Sequence, residues 1–229
     1  MGLEFVRQLV ARGDRVFAAC RRPGEARDLA ALARDPRARV DVVALDVGEP
    51  SSIAECARVV AAGTDRLDLL VNAAGVYSGR GSADPESAGE RLGRLDMAPA
   101  VAVLRTNAVG PLLVAQALLG LLRHGRKPRV VSLSSGYGSV SANTSGFPYY
   151  YAASKAALNM SMRSFAADTA SAGITTVLLD PGWVRTDMGG PHAPVSAPDS
   201  VAAMLAVIDG LEARHNGAFL DRHGRPKPW

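Results

Sequence analysis

Short runs of β-branched and aliphatic residues recur along this chain with amphipathic segments between them, and that alternation constrains the fold more than any other feature. Val16-Phe-Ala-Ala-Cys20, Val40-Asp-Val-Val-Ala44, Leu67-Asp-Leu-Leu-Val71, Arg129-Val-Val-Ser-Leu133 and Thr175-Thr-Val-Leu-Leu179 have the length and composition of strands buried on both faces. Helical spacing fills Leu3 to Ala11, Gly24 to Arg34, Ser51 to Ala62, Ala98 to Leu122 and Tyr151 to Ala172. Strand and helix in turn predict a parallel, doubly wound sheet with helices on both faces, a three-layer α/β architecture.

Turn and cap residues mark the boundaries: Gly13-Asp14 after the first helix, Pro50-Ser51-Ser52 before the third, Gly173 after the helix that starts at Tyr151. No internal repeat is present. The linker-like stretches are Ser78 to Glu90 and Gly189 to Asp199, each after a strand's C-terminal end, where open α/β sheets bind ligands. With 229 residues, 48% of them hydrophobic, the chain can bury a full core, and residues 1–229 are expected to form a single domain.

The formal net charge is +4, but Arg and Lys alternate with Asp and Glu and form no dense basic block, so no nucleic-acid partner is expected. Cys20 and Cys56 lack disulfide or zinc-ligand spacing and read as free thiols in a reducing cytoplasm. His124, His192, His215 and His223 are scattered, and no metal site is expected. The start at Met1 has no signal-peptide pattern, and Val6 stands where a myristoylation start needs Ser or Thr. The apolar run Ala108 to Leu122, interrupted by Pro111 and Gln116, is shorter than the ~18 to 20 residues of a membrane span and reads as a buried helix.

Tyr151-Ala-Ala-Ser-Lys155 puts a phenol and an ammonium at i and i+4 on one helix face. A phenol is a poor acid or base near neutral pH, with an unperturbed pKa of about 10, and a neighbouring cation lowers it by stabilising phenolate. Alone, the pattern usually means a surface contact. Its context is fuller: Asn72-Ala-Ala-Gly75 follows one strand, Asn107 sits in the long fourth helix, and Leu133-Ser134-Ser135-Gly136-Tyr137-Gly138-Ser139 carries another strand into a turn rich in hydroxyls. Asp180-Pro181-Gly182-Trp183-Val184-Arg185-Thr186 follows the last of the runs.

This ordered set resembles the short-chain dehydrogenases/reductases, a family with a Rossmann-type fold. The segment Asn143-Thr-Ser-Gly146 and the ending Gly217 to Trp229 resemble its C-factor and sniffer-type carbonyl reductase branch. The resemblance implies an oxidoreductase that interconverts a carbonyl and an alcohol by hydride transfer. Tyr151 would give the proton to the carbonyl or take it from the alcohol, and Ser135 would hydrogen-bond the substrate oxygen. Lys155 would lower the Tyr151 pKa and hold the nicotinamide ribose, with Asn107 positioning Lys155 through a water. Ser134 and Ser139 compete with Ser135 for the substrate role. Tyr149 and Tyr150 are out of register with Lys155 and would shape the pocket.

Arg21 and Arg22 end the first predicted strand in place of the carboxylate that would bind a ribose 2′-hydroxyl, and two guanidiniums suit a 2′-phosphate, so NADP is expected rather than NAD. By the same resemblance Asp46 and Val47 contact adenine, and Asn72, Ala73, Ala74 and Gly75 line the cofactor. Pro181, Gly182, Val184 and Thr186 meet the nicotinamide side. Trp183 and Gly189 to His192 help enclose a small carbonyl or alcohol substrate. The branch implies helix pairing across an interface, hence a homodimer or homotetramer.

The chain departs from the family at its beginning. A first strand and the turn Thr-Gly-x-x-x-Gly-x-Gly should precede the helix at Leu3, and only Gly2 corresponds to that turn, as its last glycine. The absence is expected to leave the flanking strands beside a gap, at roughly 1 to 3 kcal/mol for each buried unsatisfied backbone group, and to weaken NADP binding at the pyrophosphate. A gene start placed too far downstream is preferred over a truncated protein, because every later motif is intact. The competing function is a non-catalytic or cofactor-deficient signalling protein that keeps the fold.

Overall fold

The computed structural model describes residues 1–77, 90–144 and 146–229. The stretch Ser78 to Glu90, except Glu90 itself, lies outside the described residues, as does Ser145 within Asn143 to Gly146.

The strands are β1 (Val16–Cys20), β2 (Val40–Ala44), β3 (Leu69–Asn72), β4 (Arg129–Leu133), β5 (Thr175–Asp180) and β6 (Ala218–Asp221). The helices are α1 (Gly2–Ala11), α2 (Arg27–Ala33), α3 (Pro50–Gly63), α4 (Met97–Leu104), α5 (Gly110–Ala117), α6 (Leu119–Arg123), α7 (Tyr149–Thr169) and α8 (Ala197–Asp209). Every strand pairing is parallel, as the apolar runs require. One face packs Ile53, Cys56 and Val60 of α3, Val114 of α5 and Leu158, Met162 and Phe165 of α7 against Val130 and Leu178. The other packs Phe5 of α1 and Val201, Met204, Leu205 and Ile208 of α8 against Val131, Val177 and Leu179. The result is the three-layer, doubly wound Rossmann-type α/β arrangement.

The strands do not form one sheet. β1 pairs with β2 in a 2-stranded sheet, while the 4-stranded sheet runs β3-β4-β5-β6. Among the described residues neither β1 nor β3 has a partner on its other side. Their facing edges, Val16–Arg21 and Leu67–Gly75, line a cavity of about 1330 Å³ with Phe5, Val6 and Leu9 of α1 above it. This is the gap expected from the sequence.

The segment predicted as one helix from Ala98 to Leu122 begins at Met97 and is subdivided. Between α4 and α5 lies a π-helical turn, Arg105–Val109. Pro111 fits in the first turn of α5, where its missing N–H is not needed. Counted from Met97 rather than Ala108, the stretch Met97–Ala117 has 21 residues, with an 18-residue window at mean hydropathy 1.4, and passes the length and composition of a membrane span. Here it packs against α7 and α3. α8 and β6 have no counterpart among the predicted elements. The first arises within and after the stretch read as a linker, where Ser196 caps the helix by accepting the Asp199 N–H at 3.1 Å and donating to its carboxylate at 2.5 Å.

Candidate active site

The C-terminal ends of β3, β4 and β5 deliver the site residues to one edge of the sheet. β4 runs into a tight turn, Gly136–Gly138, in which Ser135 accepts the Tyr137 N–H at 3.3 Å. Gly138 lets this turn rest on α7: a Cβ there would lie 2.9 Å from Asn159 Nδ2 and 3.0 Å from the Lys155 carbonyl carbon. The three hydroxyls differ in their partners: Ser134 donates to Asn159 Oδ1 at 2.6 Å and Ser139 accepts the Ala142 N–H at 3.2 Å, whereas Ser135 stands on the turn beside Tyr151.

Tyr151 is held edge-on between Tyr77 and Tyr137, with ring centroids 5.4 and 6.2 Å away. Lys155 is buried at 4% exposure; its Nζ donates to the Leu133 carbonyl at 2.7 Å and lies 5.6 Å from the centre of the Tyr151 ring. Asn107 is fully buried in the π-helical turn, a distortion frequent at functional sites. Its amide exchanges two 2.8 Å hydrogen bonds with the Val76 backbone and donates to Ser154 Oγ at 3.0 Å. It also lies near Lys155, because a Cβ on Gly75 would be 3.6 Å from Asn107 Oδ1 and 3.8 Å from Lys155 Nζ. Asn107, Ser135, Tyr151 and Lys155 therefore converge, from four separate stretches of sequence.

The electrostatics correct one expectation. Burial pushes the Tyr151 phenol up to about 12; its hydrogen bond with Ser135 opposes that, while the charges of Asp180, Tyr137 and Tyr77 add to it. Burial pushes Lys155 down to about 8, with Asp180 acting against the fall. Asp180 is tied by both oxygens, Oδ1 to the Gly182 N–H at 3.0 Å and Oδ2 to Lys227 Nζ at 2.7 Å.

Sequence reasoning missed Glu90. Its side chain is fully buried and accepts the N–H groups of Tyr150 and Tyr151 at 2.9 and 3.0 Å, capping α7 where the preceding Pro148 provides no side-chain cap. Nothing local marks it, since the contact spans 60 residues. Tyr150, rather than lining the substrate side, accepts the Asp96 N–H through its hydroxyl.

The predicted cofactor residues divide. Gly2, Arg21, Asp46, Val47, Asn72, Ala73, Ala74 and Gly75 line the cavity between β1 and β3. Arg22 does not; it pairs with Glu25 at 3.1 Å on the surface. The Asn72 side chain bonds Ser132 Oγ at 3.1 Å and ties β3 to β4. Pro181, Gly182, Val184 and Thr186 stand apart from the cavity at the end of β5, and the Thr186 hydroxyl accepts the Gly189 N–H at 3.1 Å. Trp183 is 60% exposed and donates to the Gly189 carbonyl at 2.8 Å. Among the described residues, no group of three or more His, Cys, Asp or Glu converges.

A tyrosine and a lysine on one helix and a serine on the adjoining turn, at the C-terminal edge of a parallel sheet, have the arrangement of a Rossmann-type oxidoreductase. The chain belongs to the short-chain dehydrogenase family, whose model matches residues 1–194. C-signal of Myxococcus xanthus is 49% identical over 166 residues, which cover 72% of this chain and 95% of that protein. The carbonyl reductase Sniffer of D. melanogaster superposes with a TM-score of 0.90 at 29% identity, over 100% of this chain and 94% of the other. An NADPH-bound carbonyl reductase from chicken fatty liver does so with a TM-score of 0.89 at 32% identity and the same coverage. These neighbours place the chain in a carbonyl-reductase-like branch of the family.

Proposed function

We propose that the protein is an NADP-dependent oxidoreductase that interconverts a small carbonyl compound and its alcohol, with Tyr151 as the acid/base. The observation that carries this reading is the convergence of Tyr151, buried Lys155 and the turn that carries Ser135. In reduction, Ser135 and Tyr151 hydrogen-bond the carbonyl oxygen, and Tyr151 passes its phenolic proton to that oxygen as negative charge develops. In oxidation, Tyr151 takes the proton back. Lys155, fixed by Leu133, holds positive charge or a mobile proton beside the phenol. Tyr77 and Tyr137 wall the phenol and exclude water.

A nicotinamide dinucleotide, when bound, supplies or takes up the hydride. Residues for its two ends are present: Arg21, Asp46 and Val47 on the adenosine side, Lys155 and Pro181 to Thr186 on the nicotinamide side. Between them the first N–H groups of α1, at Gly2 and Leu3, are available to a pyrophosphate. The choice of NADP rests on Arg21 and on the NADPH in the chicken liver relative. Exposed Val101, Val109 and Met160, on α4, the π-helical turn and α7, suit pairing with a second copy. A cytoplasmic setting is proposed from the two free cysteines.

A second reading, a cofactor-deficient signalling protein, is kept in view by the name of the Myxococcus relative. NADPH titration by fluorescence, followed by a panel of carbonyl compounds, separates the two. Saturable NADPH binding with carbonyl-dependent oxidation supports the enzyme. A folded chain that binds no NADPH at millimolar concentration leaves the second reading.

A further inference from the structure

The C-terminal residues reach back to the active site through contacts that the proposed reaction leaves unexplained. Lys227 donates its N–H to the Phe219 carbonyl at 2.9 Å, which sets the tail against β6. Trp229 packs on Phe219 with ring centroids 5.6 Å apart, beneath the Arg163 guanidinium at 4.6 Å. The Trp229 carbonyl accepts the Ser141 N–H at 2.8 Å and also the Ser141 hydroxyl. The tail is thereby fixed both to the sheet and to the segment joining Ser135 to Tyr151.

From this anchored position Lys227 Nζ donates to Asp180 Oδ2 at 2.7 Å, with the two side chains 25% and 11% exposed. The pair abuts the residue that follows Ser135. A Cβ on Gly136 would lie 3.3 Å from Lys227 Nζ and 3.4 Å from Asp180 Oδ2. The carboxylate thus stands next to the serine turn, at the end of the strand that adjoins α7.

We infer that Lys227 is a positioning residue for the acid/base pair: its ammonium offsets part of the Asp180 charge and so limits how strongly this carboxylate bears on Tyr151 and Lys155. The inference rests on the proposed roles of those two residues. A nearby carboxylate disfavours phenolate and favours ammonium, and Asp180 acts on both groups in that upward sense. Beside the pair, the Arg222 guanidinium fills the space a Gly182 side chain would need, and the Tyr77 and Tyr137 rings flank Tyr151. Lys227 is the one that bonds the carboxylate directly among the ion pairs of the described residues.

The sequence contains Lys127, Lys155 and Lys227 as its lysines, so protein labelled with carbon-13 at the lysine ε position gives resolvable signals, and Lys155→Arg assigns the one that matters. In Lys227→Gln the Lys155 midpoint is expected to rise by about half a pH unit or more. Lys227→Arg should titrate like the parent, and adding Asp180→Asn to Lys227→Gln should cancel the rise. An unmoved Lys155 midpoint in folded Lys227→Gln overturns the inference. If that variant does not fold, Asp180→Asn alone serves: its Lys155 midpoint must fall, and an unchanged one overturns the inference equally. The readout needs no turnover. A shifted midpoint in a protein without oxidoreductase activity would remove the proposed function and leave the electrostatic link standing, whereas an active protein with unshifted titration would do the reverse.

Discussion

The two sheets differ in how completely they are packed. In β4 and β5, Val130, Val131, Ser132 and Val177 to Leu179 are fully buried, with helices on both faces and a paired strand on each side. In β1 only Ala18 is buried, and in β2 only Val43. The same kind of apolar run thus becomes a core strand only where both neighbours are present. Ser135 and Lys155 are anchored on the complete side, through β4 and the Leu133 carbonyl. Most of the adenosine-side residues line the open side. Chemistry and cofactor affinity are therefore expected to fail independently.

Matched leucine truncations press hardest on this contrast. Leu178→Ala should cost about 4 kcal/mol, read from urea midpoints, because close packing on both faces prevents collapse around the lost atoms. Leu29→Ala, in the small cluster with Val6 and Ala18, should cost less than about 2 kcal/mol. Equal losses would mean that the gap does not loosen its surroundings.

A pH series probes the complete side alone. Lys155 falls from 10.5 to about 8 on folding, so between those values the unfolded chain binds more protons and stability should rise with pH. Tyr151 rises from 10.0 to about 12, so above pH 10 the folded chain binds more protons and stability should fall. Lys155→Met should remove the rising limb while leaving the falling one. A flat urea midpoint from pH 8 to pH 10 in the parent would contradict the burial of a titrating lysine.

The open side is tested by its arginines, with the smallest expected effect. Arg21→Ala should weaken NADPH binding about tenfold, while Arg22→Ala, whose guanidinium already serves Glu25, should change it less than about twofold. A larger loss from Arg22→Ala would reverse their assignment.

The sequence-based expectations succeeded where local pattern and burial agree. β1, β2 and β4 have the predicted bounds because each is a bounded apolar run. α8 escaped because Pro198 and Asp199 sit in a stretch rich in turn residues, although Ser196 and Asp199 have the spacing of a helix cap and were its available signal. The π-helical turn that holds Asn107 leaves no mark in residue spacing, and neither does Glu90, whose partners lie across the chain. The resemblance prefers Ser135 over Ser134 and Ser139, but the bonds of those two to Asn159 and Ala142 become visible only in the structure. The direction of the Tyr151 shift also lay beyond spacing, because burial is its largest cause.

The separation of chemistry from cofactor affinity is tested most directly by the rate of carbonyl-dependent NADPH oxidation, compared between the parent chain and Tyr151→Phe, with the NADPH Kd measured on the same samples. The account predicts a rate lower by about a hundredfold or more in Tyr151→Phe at an unchanged Kd. Equal rates, or a loss that follows a weakened Kd, would contradict it.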